Sequence, residues 1–366
     1  MKFSLSRDHF LFAVQRCYQI TGKRNIESIL ANVMLEADGS TLIISATDNE
    51  ISLSIRVDAH IEESGQTTVS ARKLFEILKE LDSNTDVYLD TDTNFLKLKS
   101  GLSRFRLATM DADQFPRTSP DTEAAQFQIG GGCFASLISA TAFAMSLDET
   151  RDYLTGTCFD VKNNELRLVA TDTHRLAFSS SSIDSSIHHN SIVPRKTMLE
   201  LRRLLDDERD QVDVHLGQRQ LIISTPTMLL SSKLIDKRFP PYEGITFVQY
   251  PHTAVVNCSA IDHAIRRSMI VANDKTHDVK LQFEQQSLCI ESINQSNQEE
   301  SIEKIEIAYT GPDKTVFFNG RYLRDIFNQM HASSSVYLHF SDGFSSMLIT
   351  EEGVEASRYI VMPMDV

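Results

Sequence analysis

The chain has 366 residues, enough for two or three domains, and 41% hydrophobic with 23% charged residues, 14 Gly and 9 Pro exclude a collagenous or largely disordered protein. A formal net charge of −14 excludes an evenly basic nucleic-acid-binding protein, yet it leaves room for one basic surface on an acidic molecule, so the charges must be located first. Arg7, Asp8 and His9 interrupt any signal peptide, no apolar run is long enough to span a membrane, and the five cysteines lack a Cys-x-x-Cys pair, so a cytoplasmic protein with reduced thiols is expected.

An amphipathic helix is predicted over Ser6–Tyr18, with Phe10, Ala13, Val14 and Cys17 on one stripe and Ser6 as N-cap. Leu42–Leu53 follows as two apolar strands hinged on the polar corner Ala46-Thr47-Asp48. A second helix starts near Ala71-Arg72-Lys73. Strands at Asp86–Leu89 and Phe95–Leu98 precede Phe115-Pro116, and a boundary is placed near Thr122. The same order then recurs. A helix is predicted over Gly132–Met145, a hinged strand pair over Leu166–Phe178 with the corner Ala170-Thr171-Asp172, and a helix from Pro194-Arg195-Lys196. Strands at Val212–Leu216 and Leu221–Ser224 lead to Phe239-Pro240 and a boundary near Ile245. The two Ala-Thr-Asp corners stand 124 residues apart (170 − 46). A fainter third copy has a helix over Ser259–Met269 with Ser259 as N-cap and a hinge within Leu288–Ser301 that lacks Ala-Thr-Asp. Its second helix starts near Asn319-Gly320-Arg321, and strands follow at Ser335–Phe340 and Met347–Thr350. Ser179–Ser186 and Asn294–Glu300 read as loops. The expected fold is α+β, three repeated domains at 1–121, 122–244 and 245–366, each with two helices and two antiparallel sheets.

Enzyme signatures are absent. Gly130-Gly131-Gly132 lacks the Lys-Ser/Thr of a phosphate loop, and Asp172 with His174 has no third partner for acid–base or metal chemistry. No cofactor or metal is expected. What repeats is a basic outer face on the helices, and three equivalent faces turned the same way would merge into one positive surface suited to a phosphate backbone. Few Asn or Gln interleave with these cations and aromatics are scarce, which argues against base reading. The apolar tail Tyr359–Met364 should finish a strand or line a pocket.

Ala170-Thr171-Asp172-Thr173-His174-Arg175-Leu176-Ala177, Leu234-Ile235-Asp236 with Phe239-Pro240, and Val361-Met362-Pro363-Met364 together resemble the bacterial replicative sliding clamps, the beta subunit family of DNA polymerase III. The resemblance spans the full length. It implies two chains joined head to tail into a six-domain ring, helices lining the hole, and a non-catalytic processivity factor that slides on double-stranded DNA without sequence specificity. The DNA-facing residues it implies are Lys23, Arg24, Arg72, Lys73, Arg151, Tyr153, Arg195, Lys196, Arg202, Arg203, Arg266 and Arg267.

The same resemblance implies a hydrophobic peptide pocket serving the replicative polymerase subunit, the clamp loader and other proteins that carry a clamp-binding motif. It maps to Leu154, Thr171, Thr173, His174, Arg175, Leu176, Pro240, Ile245, Phe344, Ser346, Ile360, Met362, Pro363 and Met364. The homodimer interface maps to Arg104, Phe105 and Leu107 against Ile270 and Val271, with Glu299, Glu300 and Glu303 facing the arginines. Three departures bear on the pocket: Glu243-Gly244 and Asp365-Val366 stand where basic residues are usual, and Phe344 is bulkier than the residue often found there. The competing expectation is a repeat-built peptide-binding scaffold with no DNA role.

Overall fold

The computed structural model describes residues 1–21, 29–117, 124–205, 211–343 and 345–365. Lys23, Arg24, Thr122 and Phe344 lie outside the described residues. The helices described are α1 (Arg7–Ile20), α2 (Ala71–Glu80), α3 (Gly131–Ala142), α4 (Arg195–Leu205), α5 (Glu243–Thr246), α6 (Cys258–Ser268) and α7 (Gly320–Phe327). Six fall two to each third, where the apolar periodicity puts them. In α1 that stripe buries Phe10, Ala13, Val14, Cys17 and Ile20, spaced at three and four residues. The α6 cap differs from expectation. Asn257, still extended at φ −70° and ψ 132°, accepts from the Ala260 amide, whereas Ser259 has already entered the helix and donates to Asn257 instead. Ser6 holds the cap position of α1 without a side-chain bond.

The chain divides into two compact units, residues 1–131 with 207–234 and residues 132–206 with 235–366. The first holds a 13-stranded sheet; the second holds an eight-stranded and a four-stranded sheet. One four-strand pattern occurs three times. It runs Gly65–Ser70, Asn32–Asp38, Thr41–Thr47, Ile51–Asp58 in the first unit. In the second it runs His189–Pro194, Gly156–Lys162, Glu165–Thr171, Arg175–Ser182, and again Lys314–Asn319, Asp278–Glu284, Ser287–Asn294, Glu299–Glu306.

Two of these patterns are extended by one more strand beyond the hairpin. Met228–Lys233 joins Ile51–Asp58 with Ser232 opposite Ile51, and Val354–Val361 joins Arg175–Ser182 with Val361 opposite Arg175. Both seams therefore start at the first residue after the hinge. The third, Glu299–Glu306, remains an edge strand in its sheet.

The hinge itself is built twice from the same bonds. Thr47 Oγ1 donates to the Ile51 carbonyl at 2.9 Å and Thr171 Oγ1 to that of Arg175 at 2.7 Å. Asp48 Oδ1 accepts from the amides of Glu50 and Ile51, as Asp172 Oδ1 accepts from His174 and Arg175, all between 2.8 and 3.0 Å. Each corner carries one left-handed residue, Asn49 at φ 73° and Thr173 at φ 79°. The short oxygen-bearing side chains replace backbone partners lost in so tight a turn. In the third copy Asn294 takes the Asp role, its Oδ1 accepting from the Asn297 amide at 3.4 Å.

Both expected loops are shorter than the polar runs suggest. Ser179–Ser182 continue a strand, where Ser179 lies opposite Ser357 and the two hydroxyls meet at 2.8 Å. Strands likewise reach Asn294 and restart at Glu299. Ser179–Ser182 pair throughout with Glu165–Leu168, and that ladder holds the serines in the strand, so serine content misleads there.

Candidate functional site

The second hinge brings together half of the expected pocket: Thr171, Thr173, His174, Arg175 and Leu176 belong to it, and Ile360 and Met362 pair with it. Leu176 and Ile360 lie opposite one another across the seam, inside a buried cluster with Cys158, Val169, Phe178, Tyr242 and Leu348, against which Phe239 and Tyr250 pack. The chain end is tied to this corner by backbone. Met362 N donates to the His174 carbonyl at 2.8 Å, and Met364 N donates at 2.8 Å to the Phe317 carbonyl of the four-stranded sheet instead. Thr171 is half-buried, Thr173 and His174 are exposed, and Met362 is 41% exposed, so polar groups and one flexible apolar side chain reach the surface at this corner.

Arg175 is the most heavily bonded of the expected residues. Its guanidinium donates to Asp172 Oδ2 at 3.0 Å, to Asp325 Oδ2 at 2.5 Å and to the Phe143 carbonyl at 2.9 Å. It also lies 4.5 Å from the Tyr322 ring centroid, and that ring stacks on His174 at 6.0 Å. Arg175 therefore stiffens the corner instead of offering free donors. Tyr322, Asp325 and Phe143 lie outside the sequence-derived set. Tyr322 and Asp325 share a face of α7 three residues apart, a spacing visible beside the apolar stripe Leu323, Ile326, Phe327.

Leu154 is buried at the end of the short helical segment Glu149–Leu154, and Pro240, Pro363 and Met364 are half-buried. Ser346 is held by Tyr250 Oη at 2.9 Å. Ile245 is 46% exposed on α5, a single turn without a sequence signal. Tyr242 Oη donates to Asp160 Oδ2 at 2.5 Å, and burial followed by that carboxylate pushes the phenol well above its ordinary value. Glu243 pairs with Lys162 and lies 3.5 Å from Arg167. Burial pulls the Lys162 ammonium down, but Glu243 and Asp160 outweigh it and hold the group above its usual range. Burial, then Asp160, pushes the Cys158 thiol up to about 12, which makes it unreactive.

Most of the expected basic residues are exposed, and several of the exposed ones, Arg151 and Arg267 included, also face a carboxylate. Arg72, Lys73, Lys196, Arg202 and Arg266 are exposed, Arg72 with Glu76 at 2.8 Å and Arg266 3.8 Å from Asp262. Arg195 donates to the Met145 carbonyl and Arg203 to Glu200. Arg151 sits 3.6 Å from Asp148, beside the half-buried Tyr153. Arg267 is bonded to Glu303 through Nε at 2.9 Å and Nη2 at 2.6 Å, and this hydrogen bonding holds the Glu303 carboxyl below its usual range.

Of the expected interface residues, Arg104 is exposed, while Phe105 is half-buried and Leu107 buried on Ser103–Met110. Phe105 and Leu107 line a hollow of about 410 Å³ with Lys73, Ile77 and Leu81. Ile270 is 79% exposed, Val271 half-buried, and Glu299 and Glu300 exposed on the free edge.

Family models of the DNA polymerase III beta subunit match throughout: the N-terminal domain over residues 1–119, the central domain over 128–241 and the C-terminal domain over 249–365. The beta sliding clamp of Pseudomonas putida is 36% identical over 367 residues and that of Escherichia coli K12 33% identical over 366, each alignment covering 100% of both chains. Among solved structures, the DNA polymerase III subunit beta of Pseudomonas aeruginosa superposes with a TM-score of 0.95 at 34% identity. A sliding clamp of that organism bound to griselimycin gives 0.96 at 34% identity, and both cover 100% of each chain. The chain belongs to the DNA polymerase III beta subunit family.

Proposed function

We propose that this protein is a cytoplasmic, non-catalytic sliding clamp. Two chains of three domains, at 1–121, 122–244 and 245–366, join head to tail around double-stranded DNA and tether the replicative polymerase, the clamp loader and other partners by a peptide groove.

The open third seam carries this reading. Each hairpin pattern offers one edge, two are filled in the same register, and among the described residues Glu299–Glu306 is paired on one side only, leaving a row of backbone groups that protein edges normally cover. The strand equivalent to Met228–Lys233 in the first third is Ser103–Met110, with Phe105 at the place of Leu230. Repeating the register pairs Glu299 with Leu107, Glu300 with Arg106 and Ile302 with Arg104 of the partner. The exposed Ile270 would enter the hollow at Phe105 and Leu107, so apolar contact supplies most of the affinity and the rim ion pairs little. Glu303 is already satisfied by Arg267, which leaves Glu299 and Glu300 for the partner's arginines. A head-to-tail contact repeated twice closes without loose ends.

Exposed Arg72, Lys73, Lys196, Arg202 and Arg266, with Lys23, Arg24, Arg151, Tyr153, Arg195, Arg203 and Arg267, form the DNA-facing set. Diffuse phosphate contacts suffice for sliding, since topology and not affinity retains the ring. The groove at the second hinge takes the partner peptide and, on this reading, griselimycin. Retention after loading on nicked circular DNA, with release when the circle is cut, tests the proposal; equal retention on linear DNA would favour a scaffold without encirclement. Arg202→Glu with Arg203→Glu should weaken retention while leaving griselimycin binding unchanged.

A further inference from the structure

We propose that Lys162 and Arg167 are positioning residues: through Glu243 and Phe247 they clamp the α5 turn onto the sheet and so hold Ile245 as a wall of the peptide groove. This rests on the groove reading above. A helix of one turn does not hold itself, because nucleation costs more than one hydrogen bond returns, and Gly244 adds backbone freedom. The position of α5 must therefore come from side chains anchored outside it.

Three anchors are present. Tyr242 is buried and donates to Asp160, while its own carbonyl accepts from Thr246 Oγ1 at 2.8 Å. Glu243 meets Lys162, which also lies 3.4 Å from Asp160 Oδ2. Phe247 packs edge-on against Phe178 at 5.4 Å and has Arg167 at 5.7 Å and Arg358 at 5.2 Å from its centroid. Arg167 serves both outer anchors, and Glu165 Oε2, accepting from its Nε at 2.6 Å, fixes its direction.

The twin pattern separates this role from folding. At the 124-residue offset, Asp160, Lys162 and Arg167 correspond to Glu36, Asp38 and Ile43. The first unit builds the same strands and the same hinge without either cation, so the repeat does not need them. Half-exposed ion pairs are screened by salt. The clamped turn thus gives an apolar groove an ionic-strength dependence that its lining alone would not have.

The test is griselimycin affinity by calorimetry at 50 and 500 mM NaCl, with amide hydrogen exchange over 243–247. Glu243→Gln and Lys162→Met should each weaken binding by about threefold to fivefold at low salt and flatten the salt response, the range an exposed pair can carry. The double variant should be no weaker than either single one, and Lys162→Arg should stay within about twofold of the wild type. Exchange over 243–247 should quicken in both single variants. Additive losses, or Glu243→Gln with unchanged exchange and salt response, would overturn the proposal. Wild-type protein that fails to bind griselimycin would overturn the groove reading instead, and the exchange data would still decide whether the clamp exists.

Discussion

The two filled seams share a backbone and differ in what they carry. Around Ile51–Asp58 the outward positions are Ser45, Ser52, Ser54 and Ser231, which line an open hollow of about 470 Å³ beside Phe115 and Pro116. The matching positions of the second seam, Val169, Leu176, Phe178 and Ile360, pack solid with Tyr242. Strand pairing and the Thr-Asp hinge therefore build the joint, and the side chains at four positions decide whether it is left open or packed solid. Ser45 and Ser54 satisfy one another at 2.8 Å, and Gln220 donates to Ser231 at 2.5 Å, so the first seam is stable as a polar face without recruiting anything.

Grafting one seam onto the other tests that contrast. Leu176→Ser removes a buried aliphatic side chain and leaves a hydroxyl among apolar neighbours, which should cost about 3 kcal/mol. The reverse change, Ser52→Leu, faces an open hollow and gives up the Ser52 Oγ bond to Thr47 Oγ1 at 2.8 Å, so it should cost about 1 kcal/mol. Thermal melting of the two variants checks both; equal losses would mean that the seams are not distinguished by packing.

The hinges offer a smaller contrast. Thr173 is β-branched at φ 79°, a conformation that costs about 1 kcal/mol or more, while its twin Asn49 tolerates φ 73°. Thr173→Asn should raise stability by roughly 1 kcal/mol and Asn49→Thr should lower it by a similar amount. No change in either denaturation midpoint would remove strain from the account.

Smallest is the acid limb of the third domain. Asp342 accepts from His252 at 2.9 Å and Lys314 at 3.1 Å, which hold its carboxyl below the ordinary value of 3.8. A carboxyl depressed in the folded state contributes stability above its unfolded value and loses it as pH falls through the folded one. Asp342→Asn should therefore flatten the melting curve below about pH 4 and leave pH 7 to 8 nearly unchanged. A variant with the wild-type acid limb would contradict this.

Much of this was legible in the chain because it is local. Helix stripes such as Phe10, Ala13, Val14 and Cys17, and a hinge written as Ala-Thr-Asp, are carried by residues three or four positions apart. The α5 turn was not legible, since its anchors pair Glu243 with Lys162 and Tyr242 with Asp160, more than 80 residues away in sequence. Nor were the bonds of Arg175 to Asp325 and of Arg267 to Glu303, which tie cations to carboxylates on other elements. The seam registers belong to strands far apart in the chain and follow only from the sheets themselves.

The open third edge is the claim on which the ring depends, and mass in solution tests it most directly. Light scattering on wild-type protein should give two chains per particle, and Ile270→Asp, which places a charge at the mouth of the Phe105 and Leu107 hollow, should give one with unchanged circular dichroism. A wild-type particle of a single chain at micromolar concentration, or an Ile270→Asp particle that stays dimeric, would contradict it.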